Sequence, residues 1–196
     1  METFGTQGIV LRATDYKEYD KLVRLLTPGR GVLTAAVKGV KRPKAKLKYA
    51  VQPFSVNEYT VVEKGGYHTV TECVPVDSMF AVTYDPDRYA VGAVLLEATE
   101  YAVNEIASPY IFSYLLRTLG QLAYADSEPF AVGVRYLVEL LSKMGYGRKF
   151  SGTVAAIAAR DVADLAGLSA TKADVKRLAA FASDCFYHEI KAAAVL

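Results

Sequence analysis

The sequence predicts an α+β protein: a small five-stranded β-barrel over residues 1–80, followed by an all-helical domain over residues 81–196. Three observations predict it. Short apolar runs, partly β-branched and separated by turn residues, fill the first 80 positions. Near residue 80 the apolar spacing changes from that of strands to that of helices. The 196 residues, 52% hydrophobic and 22% charged, suffice for one sizeable core or two small domains, and exclude wholesale disorder.

Gly8 to Thr14 carries the run Ile9-Val10-Leu11, and Lys21 to Thr27 reads Lys-Leu-Val-Arg-Leu-Leu-Thr; both are bounded by turn-prone residues. Pro28-Gly29-Arg30-Gly31 is a turn, because proline presets φ and glycine tolerates positive φ. Gly31 to Val40 follows as a third strand. Tyr49 to Glu63 is a longer extended stretch, in which Pro53 marks an edge or a bulge. Lys64-Gly65-Gly66 is a hairpin turn, and Tyr67 to Val74 is the fifth strand. Five short strands with short turns fit a closed or partly closed barrel.

Asp85-Pro86 opens the helical part, with Asp as cap and Pro at the first helical position. Val91, Val94, Leu95, Ala98 and Ala102 recur at helical spacing behind it. Ser108-Pro109 repeats the signal before Ile111, Leu115, Leu119 and Leu122. Ser127-Glu128-Pro129 opens a third helix, which Gly145-Tyr146-Gly147 stops. Arg160 to Gly167 reads as a short helix. Thr171 to Asp174 has capping-box spacing, with Asp in place of Glu, ahead of a last helix through Phe186 and Ile190.

Enzyme signatures are missing. There is no phosphate-binding glycine loop, no paired-His metal motif and no nucleophile elbow. His68 and His188 lie in unrelated segments. Cys73 and Cys185, 112 positions apart, make neither a disulfide framework nor a four-ligand zinc site, and both read as structural thiols. The start lacks a signal-type apolar region and no run approaches a membrane span. The expectation is a soluble cytoplasmic protein with no catalytic residues, no metal and no cofactor.

Net charge is only +2, but it is unevenly placed: residues 1–80 carry 12 Lys and Arg against 8 Asp and Glu, and residues 81–196 carry 11 against 13. Between Asp20 and Glu58 there is no acidic residue, and that window holds nine bases: Lys21, Arg24, Arg30, Lys38, Lys41, Arg42, Lys44, Lys46 and Lys48. A one-signed run of this kind is where a polyanion binds first. If the piece is extended, Lys44, Lys46 and Lys48 face one way; if helical, Lys41, Lys44 and Lys48 share a face. Pro43 argues against a helix through Arg42. A solubilising loop is the bland alternative, but such loops normally interleave Glu and Asp. Phe54, Tyr59 and Tyr67 lie on neighbouring strands, where rings either stack on bases or, more commonly, fill the core.

Gly8-Ile9-Val10-Leu11-Arg12, Tyr16 to Val23, Leu25-Leu26-Thr27-Pro28, Val37 to Lys44, and Gln52-Pro53-Phe54 follow one another along the chain. This order of short motifs resembles the RecO family of recombination mediators. Thr69 to Cys73 follows the family's fifth strand, and Arg135-Tyr136-Leu137 with Leu140-Leu141 and Met144-Gly145-Tyr146 is similar to a later family helix. The resemblance implies an oligonucleotide-binding (OB) barrel over 1–80 and a helical domain over 81–196. It implies binding of single- and double-stranded DNA in DNA repair, strand annealing, and help in loading a recombinase onto DNA coated with single-strand-binding protein. The implied partners are RecR and the acidic tail of the single-strand-binding protein, and the implied place is the nucleoid. Many members carry a four-cysteine zinc site after the segment matching Tyr146; residues 147–170 contain no cysteine, so no zinc is expected. The expected DNA contacts are Arg12, Lys38, Lys41, Arg42, Lys44, Lys46 and Lys48, with Arg135 and Lys143 in a cationic groove for an acidic tail. An RNA-binding barrel and a metal-dependent nuclease remain the alternatives, because phosphate contacts alone do not separate DNA from RNA.

Overall fold

A computed structural model describes residues 1–103 and 107–196. The chain divides into two compact units, Met1–Met79 with Val103–Ser113, and Phe80–Ala102 with Tyr114–Leu196.

The first unit is a closed five-stranded barrel: β1 (Glu2–Tyr16), β2 (Asp20–Thr27), β3 (Gly31–Val37), β4 (Val56–Lys64) and β5 (Tyr67–Asp77), in the order β1-β2-β3-β5-β4. β1 pairs antiparallel with both β2 and β4, and the short parallel pairing of β3 with β5 closes the ring in OB-like fashion. Strand alternation sends Val23, Leu25, Leu33, Ala35, Val37, Tyr59, Val61 and Val70 into one core. Gly65 and Gly66 form the two-residue turn between β4 and β5 with φ of 60° and 78°, the left-handed pair that a tight hairpin requires.

Two extended stretches are shorter than the sequence suggested. β3 stops at Val37 rather than Val40, because Gly39 turns the chain at φ 66°. The stretch from Tyr49 is not extended: Lys48–Val51 is a 3-10 turn, residues 53 and 54 turn again, and β4 starts only at Val56. Ser55 explains part of this, since its hydroxyl donates to the Gln52 carbonyl at 2.7 Å and stabilises the turn.

The second unit is helical: α1 (Pro86–Val103) and α2 (Pro109–Tyr124), of which residues 103 and 109–113 group with the first unit, then α3 (Pro129–Lys143), α4 (Gly152–Ala158) and α5 (Lys172–Phe186). Asp85 caps α1 by accepting the N–H of Asp87 and Arg88 at 2.8 and 2.9 Å. Glu128 caps α3 through the N–H of Phe130 and Ala131, and accepts Ala170 N–H at 3.1 Å as well. The capping box at Thr171 and Asp174 has both of its bonds. Gly133 lets α3 approach closely: a Cβ there would sit 2.9 Å from Val91 of α1 and 3.4 Å from Val175 of α5. The short helix expected over Arg160–Gly167 is not formed. Asp161 instead accepts the N–H of Ala163 in a tight turn, and the helix lies earlier, over Gly152–Ala158.

Candidate nucleic-acid interface

The connection from β3 to β4 builds the basic surface. Its apolar residues face the barrel: Val40 and Ala50 belong to the core, and Leu47 and Val51 pack against it. Its cations face solvent: Lys38, Lys41, Arg42, Lys44, Lys46 and Lys48 are all exposed. Burying a valine such as Val40 contributes about 1.5–3 kcal/mol, so the loop is plugged into the end of the barrel rather than left trailing from it.

The alternation of Lys44, Lys46 and Lys48 does not arise from an extended segment. Residues 38–47 run through turns, with Arg42 N–H on the Gly39 carbonyl and Ala45 N–H on the Arg42 carbonyl, both at 3.1 Å. Lys48 starts the 3-10 turn, and its ammonium donates back to the Pro43 carbonyl at 2.7 Å. The local reason is the pair Gly39 and Pro43, each of which breaks regular structure.

Both ends of the loop are anchored by polar contacts. On the early side, the hairpin between β1 and β2 holds it. Asp20 Oδ1 accepts Gly39 N–H at 2.8 Å, and the Tyr19 carbonyl accepts Lys41 N–H at 3.0 Å. The Arg42 guanidinium lies 5.0 Å from the centre of the Tyr19 ring, within cation–π range. Asp15 bridges Lys41 at 2.8 Å and Lys21 at 3.2 Å, and these two ammonium groups, Lys41 first, hold its carboxyl below the usual range. On the late side, Asn57 Nδ2 donates to Tyr59 Oη at 2.8 Å and Tyr59 Oη donates to the Ala50 carbonyl at 3.2 Å.

Among the described residues, Lys38, Lys44 and Lys46 make no ion pair, so their ammonium groups are available to an anion. Arg12 stands on β1 and not on the loop. It pairs in register with Arg24, whose guanidinium donates to Thr34 on β3 at 2.9 Å. Arg24 was not among the expected contacts. Its signal was nevertheless in the sequence: a hairpin turning at Lys17–Tyr19 sets Asp15 against Lys21 and, past a bulge at Leu11, Arg12 against Arg24. These two arginines lie about 10 Å along the strands from the Asp15–Lys21 pair.

The aromatic residues divide. Phe54 and Tyr59 are buried core groups, whereas Tyr67 is exposed at the hairpin. Arg30 is engaged elsewhere, between Glu2 and Glu63 and over the Phe4 ring.

In the helical unit, Arg135 and Lys143 converge on Glu139, at 3.0 and 3.7 Å. The Arg135 side chain is only 12% exposed and also donates to the Arg160 carbonyl. A second feature rich in cations is an open cavity of about 380 Å³ lined by Arg148, Lys149, Phe150, Leu178 and Arg177, the last ion-paired with Asp174, which also lines it. Arg148 is held there by the Phe181 ring, 4.0 Å from its guanidinium.

Cys73 is half-buried, and burial pushes its thiol up to about 11; Cys185 is raised as well. Among the described residues no group of three or more His, Cys, Asp or Glu is placed to hold a metal ion. No helix among them is long and apolar enough to cross a membrane.

Two family profiles match the chain: Recombination protein O N terminal over residues 1–79 and Recombination protein O C terminal over residues 83–182. Curated relatives carry the name DNA repair protein RecO. The one from Heliobacterium modesticaldum is 30% identical over 146 residues, covering 74% of this chain and 53% of the relative. That from Streptomyces avermitilis is 31% identical over 160 residues, covering 77% and 64%. That from Bacillus subtilis is 29% identical over 140 residues, covering 71% and 54%. The matches thus span little more than half to just under two thirds of the length of these relatives.

Proposed function

Since the chain belongs to the RecO family, we propose that it is a DNA-binding recombination mediator in DNA repair. It anneals complementary single strands and assists the loading of a recombinase onto DNA coated with single-strand-binding protein. The observation that carries this reading is the loop over residues 38–48, whose apolar residues plug the barrel and whose Lys38, Lys44 and Lys46 stand free of acidic partners among the described residues.

The chemistry is electrostatic. Each ammonium that meets a phosphate releases condensed counterions, which is the main source of sequence-independent affinity. Two strands held against one cationic surface repel each other less, so complementary segments meet more often. No bond is made or broken, and neither metal nor cofactor enters. Arg12, Lys38, Lys41, Arg42, Lys44, Lys46 and Lys48 contact phosphates, and Arg24 extends the surface along the strands. RecR and the acidic tail of the single-strand-binding protein are the protein partners, acting with DNA in the nucleoid of the cytoplasm. Arg135 and Lys143 are candidates for the tail. The cavity at Arg148 and Lys149 is the more accessible one, because Glu139 already forms ion pairs with Arg135 and Lys143.

Annealing of complementary single strands, bare and coated with single-strand-binding protein, tests this reading. The protein should accelerate annealing in both cases, and DNA should compete at least as well as RNA of the same sequence for the surface. Preference for RNA, or magnesium-dependent cleavage in place of annealing, would contradict it.

A further inference from the structure

The basic loop is held from outside as well as by its own turns. Its early contacts run to the β1–β2 hairpin, and one of them is a single carboxylate oxygen on a backbone N–H: Asp20 Oδ1 on Gly39 at 2.8 Å. Gly39 has φ 66° and begins the turns that carry Lys41, Arg42, Lys44 and Lys46 outward. Two residues on, Lys41 N–H meets the Tyr19 carbonyl, so the bond at Gly39 fixes the point where the loop departs from β3. Asp20 is partly buried at the start of β2, and among the described residues no cation is paired with it.

We propose that Asp20 is a positioning residue for the nucleic-acid surface: its carboxylate holds the Gly39 N–H and thereby presents the loop cations in one arrangement. The proposal rests on the reading of the loop as the DNA-contacting surface and extends it to a residue that bears the wrong charge for phosphate. Its consequence runs against simple electrostatics. Removing a negative charge beside a polyanion site should tighten binding if charge alone matters. Removing the acceptor should weaken binding, because cations on an unpinned loop must be ordered at the moment of binding.

Asp20→Asn and Asp20→Ala remove the same charge, but only Asn keeps an oxygen that can accept from Gly39. Binding of a fluorescent single strand by the full chain is measured for both, with limited tryptic cleavage within residues 38–48 as a second readout that needs no DNA. Asp20→Ala should bind about fivefold more weakly than Asp20→Asn, the equivalent of one backbone hydrogen bond of roughly 1 kcal/mol. It should also be cut faster in the loop, while Asp20→Asn is cut like the wild type. Equal affinities for the two variants, with equal cleavage, would overturn the proposal. If the wild type itself bound no DNA, the functional reading would fall, and loop cleavage alone would still decide whether Asp20 positions the loop.

Discussion

Lysines on one loop differ in what they can give to a ligand. Lys44 and Lys46 have no ion pair among the described residues, Lys48 donates to the Pro43 carbonyl, and Lys41 shares Asp15 with Lys21. A phosphate therefore competes with a protein acceptor at Lys41 and Lys48 but not at Lys44 or Lys46. Acidic side chains show the same dependence on local partners. Asp174 is held below the ordinary carboxylate value mainly by the Thr171 hydroxyl and N–H, with Arg177 adding to the effect. A carboxyl lowered in the folded state stabilises fully above its unfolded value, and that stabilisation fades as pH falls through the folded value. Thr171→Ala removes the cap of α5 and should cost about 1 kcal/mol near neutral pH. The gap between variant and wild type should narrow below about pH 4, as seen by thermal unfolding at several pH values. A gap that stays constant into acid would mean that the cap does not depend on ionised Asp174.

Elements pack as closely as their smallest residues allow. Gly133 brings α3 against α1 and α5, and a methyl there would meet Val91 Cγ1 at 2.9 Å. Alanine is the better helix former by about 1 kcal/mol, but overpacking a tight core costs typically about 1–3 kcal/mol. Gly133→Ala should therefore lower the melting temperature, and Val91→Ala added to it should recover part of the loss; a rise in melting temperature for the single change would refute the close approach. The starts of α1, α3 and α5 were legible in the sequence because each signal is local: Asp85-Pro86, Glu128-Pro129 and Thr171 with Asp174 lie within one turn of the helix they open. The five strands were legible for a similar reason, since the turns at Pro28 and at Gly65-Gly66 punctuate them. What was not legible depends on contacts distant in sequence. The sequence left Lys44, Lys46 and Lys48 open to an extended or a helical arrangement; Gly39 and Pro43 break both, and Val40 and Ala50, buried in a core made by other strands, complete the turns between them. Arg24 is set opposite Arg12 by a hairpin whose turn is readable in the sequence but whose exact register, with its bulge at Leu11, is not. Arg160–Gly167 is an exception of local origin: its helical pattern gives way to the turn in which Asp161 accepts the Ala163 N–H.

At the scale of the whole molecule, a modest net charge of +2 conceals a barrel unit whose exposed cations collect on one loop and the adjoining strands. The central claim is that this loop is the main phosphate-binding surface. The most direct measurement is the affinity of the full chain for single-stranded DNA across a salt series, compared with two double variants. Lys44→Glu with Lys46→Glu alters exposed loop lysines that take part in no ion pair among the described residues. Lys176→Glu with Lys191→Glu makes the same charge change on exposed lysines of the helical unit. With about four to six phosphates neutralised on a single strand, the wild type should show a slope of log affinity against log salt of roughly −3 to −4. The loop variant should lose about 1.5 units of that slope and most of its affinity at an unchanged melting temperature, while the control changes little. A wild-type slope near zero, or equal losses in the two variants, would contradict the claim.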